Sequence, residues 1–159
     1  MFRAFVQYNL LKDNGVTLGS YGTLESDTLK AALYDNDITP DKNAAITSTG
    51  YNTGQWAISG NEVSDGTNWD AGGEPVSGGT FSVGSGYAQF DASDVSQGGT
   101  TCTLSNVHGC LVYDDSTTTG TGGVADQGVT YHYFGGAQSV TAGTFTIVWH
   151  ANGLFRITV

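Results

Sequence analysis

Thr80-Phe81-Ser82-Val83-Gly84-Ser85-Gly86-Tyr87-Ala88-Gln89-Phe90-Asp91 alternates apolar and polar residues on either side of a Ser-Gly pair. Alternation at period two is the pattern of a half-buried strand, and a two-residue turn at Ser85-Gly86 reverses it into a hairpin. That turn sets Phe81 opposite Phe90 and Val83 opposite Ala88 on one face, with Ser82 and Gln89 on the wetter one. A three-residue loop would oppose Phe81 with Gln89 and mix the faces, so the hydrophobic pattern selects the even register. The hairpin is expected to cover one side of a core.

C-terminal to it, Val107 to Tyr113 and Val129 to Phe134 read as two further strands. The run between them, Asp114 to Gly123, lacks core-forming residues and reads as an exposed loop. Thr144 to Val159 contains Asn152-Gly153, the strongest hairpin-turn signal in the chain. It predicts a hairpin in which Val148 faces Ile157 and His150 faces Phe155, with Ile147, Trp149, Ala151 and Leu154 on the other side. Both faces are largely apolar, which predicts a place in the middle of the fold.

N-terminal to the quoted stretch, residues 35–79 are rich in Asn, Asp and Gly and hold both prolines, Pro40 and Pro75. One strand, Gln55 to Ser59, is expected in this long loop region, and long loops are commonly binding surfaces. From Thr28, the alternation of Leu29, Ala31 and Leu33 against Lys30, Ala32 and Tyr34 fits a half-buried strand, and strand is the expectation here although Glu25-Ser26-Asp27 could equally cap a helix. Phe2, Phe5, Val6 and Leu10 recur at helical spacing before Asp13-Asn14-Gly15, so residues 1–14 are expected to form a short N-terminal helix or arm.

The expected architecture is mainly β: an antiparallel β-sandwich or barrel-like single domain over 1–159. It carries the short N-terminal helix, long irregular loops at 35–79 and a hairpin-rich core at 80–159. Composition agrees, with 24 glycines and only 13% charged residues. A formal net charge of −10 repels phosphates and anionic lipid, which argues against nucleic-acid and membrane partners. No apolar run approaches the roughly 20 residues needed to cross a bilayer, and Met1 to Gln7 lacks a secretory apolar stretch.

No catalytic, cofactor or metal set is expected. Asp35-Asn36-Asp37-Ile38-Thr39-Pro40-Asp41 resembles the start of a calcium loop, but it lacks the glycine at the sixth position and the closing glutamate, so it reads as Asx-turns. His108, His132 and His150 all fall on expected strands without the close spacing of a zinc site. Asp114 with Asp115, and Asp91 with Asp94, read as turn residues rather than as a hydrolytic pair. Cys102 and Cys110 could meet across neighbouring strands, so a bridge between them stays open. The remaining functional handle is aromatic. Trp56, Trp69, Tyr21 and Tyr51 lie in or near the irregular first half, where such rings either stack on ligands or pack locally.

Several segments together resemble a group of tailed-bacteriophage virion proteins. They are Phe5 to Lys12, Ser26 to Tyr34, Thr39-Pro40-Asp41, Tyr133 to His150, and Asn152-Gly153-Leu154-Phe155-Arg156-Ile157. The resemblance implies a non-enzymatic minor capsid or head decoration (cement) protein. Such a protein is assembled in the host cytoplasm and sits on the capsid surface of the virion, with the major capsid protein as partner. It also implies a homotrimer at local threefold positions of the shell, with partner contacts expected from Phe2, Phe5 and Tyr8 and from Trp56 and Trp69. The alternative is a receptor- or glycan-binding module of a tail fibre or particle surface, or a tail or baseplate component.

Overall fold

The computed structural model describes Met1, residues 24–116 and residues 124–158, so the expected N-terminal helix lies outside the described residues. Among the described residues eight strands form: β1 (Leu29–Tyr34), β2 (Glu62–Val63), β3 (Glu74–Val76), β4 (Thr80–Gly84), β5 (Tyr87–Asp91), β6 (Val95–Asp114), β7 (Gln127–Ile147) and β8 (Phe155–Thr158). All their pairings are antiparallel. The larger sheet runs β2-β1-β6-β7, with β3 also pairing β1, and the smaller runs β4-β5-β8. One core joins the two sheets, so the fold is mainly β and sandwich-like, as expected.

β4 and β5 pair in the even register, Phe81 with Phe90, Ser82 with Gln89 and Val83 with Ala88. The faces divide differently from the simple expectation. Phe90 is buried and its ring packs on Phe155 at 5.7 Å, but Val83 is 85% exposed, and Gln89 on the nominally wet face is buried. The apolar face therefore seats on the core at the Phe90 row and overhangs it toward the hairpin tip.

β1 forms where expected but is buried on both faces. β6 pairs along one side of it and β2 and β3 along the other. Its second face is not wet because the segment after it folds back: the Trp56 ring meets Tyr34 edge-on at 5.1 Å, and the Tyr34 hydroxyl donates to the Trp56 carbonyl at 2.8 Å.

Residues 35–79 accordingly are more ordered than a loop region. They hold β2, β3 and two 3-10 turns, Ile46–Ser48 and Gly54–Trp56. The expected strand Gln55 to Ser59 is not formed, because Gln55 and Trp56 sit in the second 3-10 turn with the Trp56 ring turned into the core. Polar bonds fix the rest of the segment. Glu62 accepts from the Tyr51 hydroxyl at 2.8 Å and from the Gly72 amide at 2.7 Å, while Tyr51 stacks on Tyr113 at 4.4 Å. Asp65 accepts the amides of Thr67, Asn68 and Trp69, which close a tight turn beneath the Trp69 side chain.

β6 and β7 are far longer than the separate strands expected from Val107 and Val129, and they form a ribbon that folds over on itself. Phe134 and Phe145 stand on the same strand, where eleven extended residues would span about 36 Å, yet their ring centroids are 6.3 Å apart. The bend is made by successive register shifts between Gln97 and Gly109. Asn106 and Ala142 adopt positive φ of 60° and 48° in this region, as bulged strands do. Cys102 and Cys110 are thereby placed on one continuous strand, opposite Gly143 and His132 respectively, and both are free thiols. Each faces a residue of β7 rather than the other, so they are not cross-strand partners.

The Asn152-Gly153 hairpin is not formed. The turn itself is present, with Gly153 at φ 70° and its amide donating to His150 at 2.7 Å. The chain leaving it pairs with β5 instead: Phe155 lies opposite Phe90 and Ile157 opposite Ala88. β7 is already engaged with β6 at Ile147, whereas β5 offers an open edge, and the Leu154 amide donates to the Phe90 carbonyl at 2.9 Å. Val148, expected to face Ile157 in that hairpin, is exposed. Trp149 is buried at the junction of the two sheets, its indole donating to the Ser93 carbonyl at 2.8 Å.

Candidate functional site

Trp56 and Trp69, sought as partner-binding residues, have no exposed surface. Trp69 meets Phe145 edge-on at 5.5 Å, and Tyr51 is buried as well. These aromatics anchor a polar segment to the core and present no ring outward. Phe2, Phe5, Tyr8 and Tyr21 lie outside the described residues.

The three histidines stay apart in role. His108 Nε2 contacts Asn106 Oδ1 at 3.1 Å, the His132 ring packs on Trp149 at 5.2 Å, and His150 lies beyond the end of β7. Burial holds the His132 imidazole down at a pKa of about 4, with the positive Met1 amino group adding to the shift. Among the described residues, no three His, Cys, Asp or Glu side chains gather as a metal group. Asp35 and Asp41 accept the amides of Asp37 and Asn43, which is Asx-turn geometry. Asp94 accepts the Trp149 amide, and Asp114 accepts the Ser116 amide and hydroxyl. No helix among the described residues is long and apolar enough to cross a membrane.

Among the described residues, two surfaces stand out. The first is the outer edge of the small sheet. β4 is an edge strand exposed along its whole length, and Val83 continues into Ala88 and Ile157 as an apolar row across three strands. The Phe81 amide points away from β5 and is taken by the Glu25 carboxylate at 2.7 Å. Two residues on, the Val83 amide points the same way, because hydrogen-bonding direction repeats every second residue of a strand. On the other face, the Arg156 guanidinium lies 3.9 Å from the Tyr87 ring centre and donates to Gln89 at 2.8 Å, which leaves that face polar.

The second is a cleft of about 360 Å³ lined by Asp35, Asn36, Ile38, Pro40, His108, Tyr131 and Tyr133. It opens where the chain leaves β1 and crosses the face of the large sheet. Tyr131 and Tyr133 are two apart on β7, so both project to the same side. Tyr131 is packed from behind by Trp56 at 5.6 Å, while Tyr133 is 61% exposed and near-parallel to the His108 ring at 6.4 Å. Sequence reasoning looked for functional rings in loops and passed over this pair. Its signal was the Tyr131-His132-Tyr133 alternation, which puts two aromatic rings on one face of a strand.

Comparison of the chain with protein-family models, curated proteins and solved structures returned no match.

Proposed function

We propose that the chain is a non-enzymatic structural protein of a tailed-phage particle, a decoration protein that docks on the outer surface of the major capsid lattice. The observation that carries this reading is the β4 edge, where an apolar row runs off the core into solvent on a strand with outward-pointing amides. Exposed, uncharged edge strands invite pairing or docking and are normally blunted by charge or proline. β4 has neither. The residues of 133–150 and 152–157 that resemble virion proteins supply the setting.

A ligand that binds only the assembled shell stabilises it by mass action. The net charge of −10 suits a protein that must stay off packaged nucleic acid. Homotrimerisation at local threefold positions belongs to the same proposal, because a closed trimer engages three equivalent sites and gains from their linkage. Phe2, Phe5 and Tyr8 are its proposed N-terminal contacts, and the β4 row takes the place of Trp56 and Trp69.

Sedimentation with undecorated heads tests the proposal. The wild-type chain is expected to co-sediment, and Val83→Asp to lose binding while keeping its melting temperature. Equal binding by that variant removes β4 from the interface. Recovery of the chain with isolated tails, and not with heads, overturns the decoration role in favour of a tail or baseplate component.

A further inference from the structure

The cleft beside the Asp35 loop differs in kind from the apolar β4 edge and serves no part of the docking role. We propose that it binds a neutral pyranose unit of a glycan, with Tyr133 as the stacking surface and Asp35 and Asn36 as hydroxyl partners.

Four observations converge on that class. A volume of about 360 Å³ lies at the small end of ligand pockets and accommodates one or two ring-sized units. Tyr133 holds an exposed aromatic face on a rigid strand, and a pyranose offers such a face its C–H-lined side while its hydroxyls point outward. Those hydroxyls need planar donors and acceptors at the rim. Asp35 spends Oδ1 on the Asp37 amide, which leaves Oδ2 to accept, and Asn36 is exposed beside it. Finally, the chain is strongly acidic and Asp35 stands at the cleft, which disfavours sialic acids, uronic acids and phosphates.

The cleft is also held ready. Tyr131 is seated against Trp56 behind and over Gly109 below, so little ordering remains for the ligand to impose. Two tyrosines and a carboxylate are also part of what holds a quaternary ammonium. Here the rest of the lining is Asn36, Ile38, Pro40 and the His108 imidazole, and tetramethylammonium therefore serves as the counter-probe for a cation.

Saturation-transfer and shift-titration NMR on the full chain tests the proposal. The probes are the methyl glycosides of glucose, galactose, mannose and N-acetylglucosamine, with N-acetylneuraminic acid and tetramethylammonium as counter-probes. At least one neutral glycoside is expected to saturate with a Kd of about 0.1–10 mM. Tyr133→Ala should weaken it by about tenfold with an unchanged melting temperature, while Tyr133→Phe retains it. Preferential saturation by either counter-probe overturns the proposal. So does unchanged affinity in Tyr133→Ala, or silence of every neutral glycoside up to about 50 mM. None of these outcomes depends on whether the chain binds capsids.

Discussion

The Tyr131 ring lies across Gly109 so closely that a β-carbon at position 109 would collide with its hydroxyl and with the His132 carbonyl. The glycine lets an aromatic side chain cover the strand beside it, and so fixes one wall of the cleft. Gly109→Ala is expected to cost about 1–3 kcal/mol, as overpacking does. Part of the clash is with the ring itself, so Gly109→Ala and Tyr131→Ala should couple by at least about 0.5 kcal/mol in a double-mutant cycle. Urea denaturation of the four proteins measures this, and strictly additive losses would unseat the ring from that position.

Trp56 and Trp149 each fill a junction: the first joins the 35–79 segment to the large sheet, the second joins the two sheets. Replacing either with alanine should cost about 3–5 kcal/mol through the cavity left behind. Val83→Thr, on the exposed row, should stay within about 0.5 kcal/mol of wild type. Denaturation midpoints that fail to separate these two groups would contradict the burial pattern.

His132 makes stability depend on pH. Its imidazole is kept neutral by burial, with a folded pKa of about 4 against an ordinary 6.5. A base with a lowered folded pKa contributes stability that is complete above about pH 6.5 and is lost as pH falls toward 4. The loss is at most about 3 kcal/mol. Asp27 acts oppositely in the same window, since burial and the nearby Asp114 raise it to about 6, and protonation therefore favours its folded form. The comparison that isolates the histidine is wild type against His132→Gln at pH 7, 5.5 and 4, where the stability difference should change by about 2–3 kcal/mol in the direction of greater acid loss for wild type. A constant difference would show that the imidazole is not buried neutral.

Cys102 and Cys110 are both buried thiols, and burial pushes Cys102 up to about 11 and Cys110 higher still. Thiolate is the reactive form, so neither should react with a disulfide reagent at pH 8 until the chain unfolds. Reductant should leave the melting temperature unchanged. Rapid labelling of the native protein would place one of them at the surface.

Local pattern made β1 and the β4–β5 pairing legible, down to Phe81 opposite Phe90. In both, the decisive interactions are between residues near in sequence or along one strand. Asn152-Gly153 shows where that ends: a turn dictates that the chain reverses, not which edge accepts it, and β5 is that edge. The glycine has a second role there, since a β-carbon at 153 would strike the Phe90 carbonyl. The 35–79 region misled for another reason. Its polar composition suggested exposure, but two indoles and a tyrosine suffice to pin such a segment, and the amide bonds to Asp65 and Glu62 replace the ladders it lacks. The cleft was illegible because its walls come from a loop after β1 and from strands some seventy to a hundred residues later.

The same remoteness shapes how the protein reaches its fold. Leu29 must find Asp114, and Tyr34 must find Gly109, before the large sheet has a centre. Closing loops of that length costs entropy before any ladder compensates it, which places folding in the slow, millisecond-to-second regime of non-local β topologies. The β4–β5 hairpin, local in sequence, can form within microseconds and then waits with its apolar row bare. Refolding yield should therefore fall as chain concentration rises, because early hairpins meet one another before the rest of the sheet arrives.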